Sequence, residues 1–225
     1  MRFLKYAAIA VIGAVISAAI GIKVMQYTIG GGHFSLPSSS MMPTFRPGET
    51  VIAVPAFDKA GPERGEVVLF EAKDGSGVTY IFRVVGVGGD TVGMNKGRVT
   101  LNGDVLIQER TDPFLIDGSD PNTRYACPGQ TNKECAIDQF IEVQPAGPRY
   151  AVLDLGETRL DTFGPITVPD GHIFVLGDNR DNAVDSRFPD RGFVPIENVT
   201  GIVKLRLIGR GATGLDLSRS LTWLE

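Results

Sequence analysis

The chain has few of the residues that bind metals. It contains two cysteines and two histidines, His33 and His172, among 225 residues, so a zinc site would lack its usual ligands. No metal and no other cofactor is expected. Basic residues are also in the minority, with a net charge of -4 and an isoelectric point near 5.3, and no nucleic-acid-binding motif is present. Nucleic acid is therefore not expected as a partner.

Aromatic residues make up only 8% of the chain, whereas glycine and proline are plentiful, with 28 and 14 residues. This composition disfavours a helical bundle and favours a turn-rich β architecture. Segments rich in β-branched and aromatic residues predict core strands, among them TVIAVPAF, GEVVLFEA, VTYIFRVVGV and HIFVLGD. Between two alternating runs, Asn102-Gly103 predicts a β-hairpin.

We predict a mainly β fold, with an antiparallel β-barrel or folded-sheet core formed by residues 28–110 and 169–215. Residues 111–168 are polar and irregular, which predicts an inserted β-rich subdomain. Residues 216–225 are expected to form a C-terminal tail. A chain of this length can bury one sizeable core and still carry a short N-terminal segment.

That N-terminal segment is almost free of charge over residues 6–27 and follows Arg2 and Lys5. Its apolar length is near the lower limit of the roughly 17–25 residues that span a bilayer, which predicts a transmembrane anchor. The basic residues before it place residues 1–5 in the cytoplasm and the rest of the chain across the membrane. A cleavable signal peptide is the alternative, because the residues around Ser17 are small enough for a cleavage site.

The two cysteines, Cys127 and Cys135, enclose seven residues in the polar stretch CPGQTNKEC. A short-loop disulfide fits a domain exported to an oxidising compartment. Two unpaired thiols are the alternative.

Three further segments contain candidate chemistry. The first, SSSMMPT at residues 38–44, places three serines before Met-Met-Pro, and taken alone it predicts only turn hydroxyls. The second, YIFRVVGVGGDTV at residues 80–92, is a strand followed by a Gly-Gly-Asp turn. The third, GDNRDNAVDSR at residues 177–187, mixes aspartates and arginines after a predicted buried strand. Such a loop can form internal ion pairs that fix its shape.

In this order, the three segments resemble the conserved boxes of the bacterial type I signal peptidases, which are Ser/Lys serine endopeptidases. The resemblance extends from about Phe34 to Val203. It implies a single-pass protein of the bacterial inner membrane whose β domain, on the outer side, removes the signal peptides of exported preproteins. Signal peptides and the lipid bilayer are the implied partners. The cysteine loop also resembles a feature of family members from Gram-negative bacteria.

The resemblance implies a role for several residues. Ser40 holds the position of the nucleophile, and Ser38 holds the position whose hydroxyl forms the oxyanion hole together with the Ser40 N–H. Four residues match the lining of shallow pockets that would favour Ala-X-Ala before the cleaved bond: Leu36, Met41, Phe45 and Ile81. Five charged residues match groups that brace the site without transferring protons, with Asp178 expected to face Arg83: Arg83, Asp178, Arg180, Asp185 and Arg187.

The sequence departs from the family pattern at the base. Phe82 stands at the lysine position, so the general base is missing, and Ala183 stands where the family has a serine that hydrogen-bonds the lysine ammonium. Because both changes concern the same group, the lysine site is expected to be dismantled or rebuilt as an apolar contact. Four other basic residues offer no convincing replacement: His33, Lys73, Lys96 and His172.

Two hypotheses of different classes follow. The first is a signal-peptidase-like serine endopeptidase that uses Ser40 with an impaired or unidentified base. The second is a paralogue that binds signal-peptide-like segments without efficient cleavage. Ser38 and Ser40 favour the first hypothesis, whereas Phe82 and Ala183 favour the second. A soluble self-cleaving repressor is disfavoured, because it would need a DNA-binding domain where this chain has its apolar segment.

Overall fold

The computed structural model describes residues 32–55, 61–72, 76–117, 134–145, 147–211 and 214–224, together with Gly13, Ser17 and Gly21. Among these residues, no helix has the length and apolarity needed to cross a bilayer. The predicted anchor over residues 6–27 lies outside them, apart from the three isolated positions. Cys127 and Lys73 also lie outside the described residues.

The regular secondary structure of the described residues is almost entirely β-strand. The strands are β1 (Gly32–Leu36), β2 (Glu49–Val54), β3 (Val67–Glu71), β4 (Thr79–Val87), β5 (Thr91–Asn95), β6 (Arg98–Leu101), β7 (Asp104–Val105), β8 (Ile107–Arg110), β9 (Phe114–Asp117), β10 (Glu134–Val143), β11 (Arg149–Asp154), β12 (Phe163–Thr167), β13 (His172–Leu176), β14 (Val194–Pro195), β15 (Val199–Ile208), β16 (Arg210–Gly211), β17 (Gly214–Leu215) and β18 (Thr222–Trp223). Two short 3-10 helices cover Arg180–Asn182 and Ile196–Asn198.

The main sheet has eight strands in the order β1-β2-β15-β3-β4-β13-β14, with β18 beside β15. Its pairings are antiparallel, and the predicted mainly β, antiparallel fold is confirmed. Residues 81–86 of β4 are all buried, because both faces of this strand are covered. The strand that contains Phe82 and Arg83 therefore runs through the core.

Three smaller sheets accompany the main one. Strands β11, β10 and β8 form the first, with β9 also paired to β10, strands β12, β5, β6 and β7 form the second, and β16 and β17 form the third. The predicted hairpin is confirmed, since Leu101 pairs with Asp104 across Asn102 and Gly103. Both turn residues have positive φ, at 54° and 92°, as a two-residue hairpin turn requires. Cys135 of β10 is buried and disulfide-bonded.

The pairing of β3, β4 and β13 leaves part of one strand edge open. Strand β3 pairs with residues 79–83 of β4, whereas β13 joins the other side of β4 only from Arg83 onward, where Leu176 faces it. Among the described strands, none pairs with residues 79–82 on that side. This open edge lies beside the segment that contains the three serines.

A buried ion pair fastens β4 to the loop after β13, as predicted for Arg83 and Asp178. Arg83 donates from Nε to Asp178 Oδ1 at 2.8 Å and from Nη2 to Oδ2 at 2.6 Å. The side chains are only 4% and 1% exposed. Burial lowers the pKa of Arg83, but the carboxylate of Asp178 outweighs that effect and the pKa stays above its ordinary value. Arg83 is therefore charged within the core.

Replacing one partner of this pair is expected to destabilise the fold strongly. Asp178→Asn would leave the Arg83 guanidinium buried without a counter-charge, at a cost of about 3–5 kcal/mol in the free energy of unfolding. Urea denaturation followed by fluorescence measures this loss. The control is Asp138→Asn, because Asp138 pairs with Arg110 on the surface, where the side chains are 45% and 65% exposed, and its cost should be about 0–1 kcal/mol. Equal losses in the two variants would contradict the prediction.

Candidate active site

The serine segment forms a tight turn between β1 and β2. The Met42 N–H donates to Ser39 O at 3.1 Å, and the Phe45 N–H donates to Met41 O at 2.8 Å. Within the turn, the Ser40 N–H donates to Ser38 Oγ at 3.1 Å, and the Ser38 hydroxyl donates to Ser40 Oγ at 3.1 Å. The structure thus brings together the two hydroxyls and the N–H that the sequence predicts for attack and for oxyanion stabilisation.

Two asparagines of the loop after β13 hold the turn in place. Asn179 donates from its backbone N–H to Ser40 O at 3.0 Å and from its side chain to Ser39 O at 3.2 Å. Asn182 donates to Ser39 Oγ at 2.7 Å. Neither asparagine was predicted to act at the site. The only signal in the sequence was their position within the charged loop, between the residues assigned to ion pairs.

Phe82 and Ala183 both lie against Gly177, near the Ser40 carbonyl. They are 4% and 3% exposed. A Cβ placed on Gly177 would be 2.3 Å from the Ala183 Cβ, 2.7 Å from Ser40 O and 3.4 Å from the Phe82 ring. The surroundings of Gly177 on this side of the serine turn are therefore apolar.

A cavity of about 330 Å³, here called the serine cleft, opens beside Ser40. Its walls include Ser38, Leu36, Ile81 and Phe82. Among the described residues that line it, none is a lysine, histidine, arginine, aspartate or glutamate. The cleft is suited to an apolar, extended segment, and its described lining offers no side chain that would accept the serine proton at neutral pH.

The other predicted pocket residues and replacement bases lie elsewhere. Met41 and Phe45, which are 1% and 0% exposed, belong to the main core and do not line the serine cleft. His33 is exposed on β1 and also lies outside the cleft wall. Lys96 lines a separate cavity. His172 lies near the Asp170 carbonyl, with 3.0 Å between its Nδ1 and the oxygen.

The predicted bracing residues form buried ion pairs around the loop. Arg187 contacts Asp185 through Nε and Nη2, each at 2.9 Å. Asp185 in turn accepts the Gly177 N–H at 3.0 Å. This pair therefore fixes the glycine that separates Phe82 from Ala183.

Arg180 binds a carboxylate that the sequence did not reveal. It donates to Glu142 of β10 from Nη1 at 2.9 Å and from Nη2 at 2.6 Å, and the Tyr150 hydroxyl donates to the same carboxylate at 2.8 Å. Burial raises the pKa of Glu142, but Arg180 outweighs this effect and the pKa is held below its ordinary value. The pKa of Tyr150 is raised well above 10, first by burial and then by Glu142.

The two serine hydroxyls and the Ser40 N–H thus lie together beside an apolar cleft of a β domain, an arrangement compatible with a serine peptidase domain. The chain belongs to the signal peptidase family, peptidase S26, whose family model matches residues 5–208. This match confirms the resemblance recognised in the three sequence segments.

Individual relatives agree with this assignment. Signal peptidase I of Pseudomonas fluorescens is 32% identical over 190 residues, covering 75% of this chain and 61% of that protein. Signal peptidase I of Rickettsia typhi is 31% identical over 183 residues, covering 78% of this chain and 60% of that protein. The chain thus spans less than two thirds of the length of these relatives. A solved signal peptidase I from Enterococcus faecalis V583 is 24% identical, covers 63% of this chain and 95% of its own, and has a TM-score of 0.34.

Crowding at Gly177 predicts that an added methyl group displaces the serine segment. In Gly177→Ala the new Cβ would overlap the Ala183 Cβ and the Ser40 carbonyl, and overpacking of this kind costs about 1–3 kcal/mol. The melting temperature of the variant should therefore fall, which thermal unfolding measures. Gly211→Ala is the control, because its Cβ would meet its nearest neighbour at 3.4 Å, an ordinary contact. A Gly177→Ala variant as stable as the control would refute this packing argument.

Proposed function

We propose that the protein is a signal-peptidase-type serine endopeptidase that cleaves the signal peptides of exported preproteins by attack of the Ser40 hydroxyl. One observation carries this proposal: Ser38 Oγ lies 3.1 Å from both the N–H and the hydroxyl of Ser40, at the wall of the apolar serine cleft. The Ser38 hydroxyl and the Ser40 N–H would turn toward the substrate and stabilise the negative charge on the carbonyl oxygen.

The rate of this mechanism depends on which group accepts the proton of the Ser40 hydroxyl. When Ser40 Oγ bonds to the carbonyl carbon, its proton must pass to a base, and the described lining of the cleft supplies no suitable side chain. Water would then carry this proton to the leaving amine as the C–N bond breaks, and a second water would hydrolyse the acyl group from Ser40. Without a general base in the described lining, the rate should be about 10²–10⁴-fold lower, so slow turnover is expected.

The same proposal includes the substrate and the location. The cleft wall at Leu36 and Ile81 is compatible with small side chains, in line with a preference for Ala-X-Ala before the cleaved bond. The apolar segment at residues 6–27 would anchor the protein in the bacterial inner membrane with its N-terminus in the cytoplasm. The β domain would then meet preproteins on the outer side of that membrane.

A second candidate function is binding of signal-peptide-like segments without efficient cleavage. The positions of Phe82 and Ala183 near the Ser40 carbonyl favour it, because two apolar side chains there can contact a bound segment but cannot transfer a proton. Such a protein would serve as an assembly or regulatory factor for exported proteins.

Ser40→Ala separates the two functions. If Ser40 is the nucleophile, the purified protein releases the signal peptide of an Ala-X-Ala precursor slowly, and the variant releases none, while both bind the precursor with similar affinity. Gel analysis of the products over a long incubation, with the precursor alone as blank, measures the difference. Cleavage that persists in the variant would exclude the serine mechanism, and binding without product in either protein would favour the second function.

Introducing the lysine and the serine of the family pattern at positions 82 and 183 is expected to raise the cleavage rate. In Phe82→Lys with Ala183→Ser, burial would lower the lysine pKa and supply a neutral amine beside Ser40, with a gain of about 10²-fold or more in the cleavage rate. The rate should rise with pH as the amine loses its proton. Phe82→Met with Ala183→Ser is the matched control, since methionine has a similar length and no amine. An equal rate in both double variants would show that the lysine is not used as a base.

A further inference from the structure

The β3–β4 pair separates two cavities. On one face, Leu69 and Ile81 are paired across the strands and line the serine cleft. On the other face, Phe70 is paired with Tyr80, and these two rings line a second cavity of about 220 Å³. Phe82 points to the same side as Tyr80, because side chains two residues apart on a strand share a face. We call this second cavity the aromatic pocket.

The aromatic pocket is mostly apolar. The rings of Phe70 and Tyr80 lie 5.8 Å apart, and the rings of Tyr80 and Phe82 lie 6.4 Å apart and nearly parallel. Val175 and Val194 add to the apolar part of the wall. Three charged residues also line the pocket, Asp185, Asp190 and Arg191, and the Arg191 guanidinium lies 4.4 Å from the centre of the Tyr80 ring. A pocket of this size and character fits one aliphatic side chain and disfavours an acidic one, because two aspartates already line it.

The two cavities meet at the open edge of β4. Tyr80, Phe82 and Val184 line both of them, and Val184 is a large apolar side chain with 48% of its surface exposed. A peptide that pairs with residues 79–82 of β4 would extend the sheet. Its successive side chains would point alternately to the two faces. When two of them enter the serine cleft, the one between them faces the aromatic pocket.

We propose that the aromatic pocket is a specificity subsite for the residue between the two small residues of the bound segment, and that it selects an aliphatic side chain of about the size of leucine. Phe82 forms a wall of the aromatic pocket. The residue at the lysine position of the family would therefore also favour an apolar side chain at the middle position of the bound segment. The inference rests on the proposed binding of signal-peptide segments, and it holds whether or not the segment is cleaved.

Peptide binding tests the subsite directly. The full chain with Ser40→Ala, in lipid nanodiscs, is titrated into fluorescent peptides that contain Ala-Leu-Ala, Ala-Ser-Ala or Ala-Asp-Ala at the same position, and the dissociation constants are measured by anisotropy. We expect the leucine peptide to bind about tenfold more tightly than the serine peptide and the aspartate peptide to bind most weakly. Equal affinities for the three peptides would overturn the subsite but leave the proposed function standing. Failure of all three to bind would overturn the proposed function itself.

A variant that fills the aromatic pocket tests whether the leucine preference originates there. Ala72 lines the aromatic pocket and is absent from the wall of the serine cleft. Ala72→Leu should occupy the space that the peptide leucine needs, so that the tenfold preference disappears while the serine peptide binds as before. Ala72→Ser is the matched control and should keep the preference. A leucine preference that survives Ala72→Leu would place the selecting surface outside the aromatic pocket.

Discussion

The ion pair between Arg83 and Asp178 is the interaction on which the site depends. Arg83 follows Phe82 on β4, and Asp178 follows Gly177 at the start of the charged loop, so the pair sets the distance between the strand and the loop. Thr44, just beyond the serine turn, hydrogen-bonds the same carboxylate through its hydroxyl. Three segments that are far apart in the sequence are thereby joined at one buried carboxylate, whose charge needs all of these partners.

Two further buried ion pairs involve the same loop. Asp185 and Glu142 are buried carboxylates, and each faces an arginine. Asp185 holds the N–H of Gly177, and Glu142 links the loop to the small sheet that contains β10. A buried carboxylate that needs a specific set of partners permits few alternative arrangements, which explains how a loop with only one short 3-10 helix can present Asn179 and Asn182 to the serines at fixed distances.

Sequence patterns were sufficient to predict features that depend on neighbouring residues or that follow the pattern of a family. The turn at Asn102-Gly103, the strand around Phe82 and the facing of Arg83 and Asp178 are of this kind. Glu142 could not be found, because its partner Arg180 is 38 residues away and the surrounding sequence is polar enough to suggest an irregular surface. The inward direction of Met41 and Phe45 depends on the shape of the serine turn, which composition does not specify. The aromatic pocket emerges only once the register of β3 against β4 is known.

The packing of Phe82 and Ala183 against Gly177 also bears on how this chain could change over evolutionary time. A lysine at position 82 alone would place an amine near the Ala183 methyl group, which offers it no hydrogen bond, and a serine at position 183 alone would place a hydroxyl near the Phe82 ring, which offers it no partner. Each single change is therefore less favourable than the two together. The two positions are expected to vary as a pair.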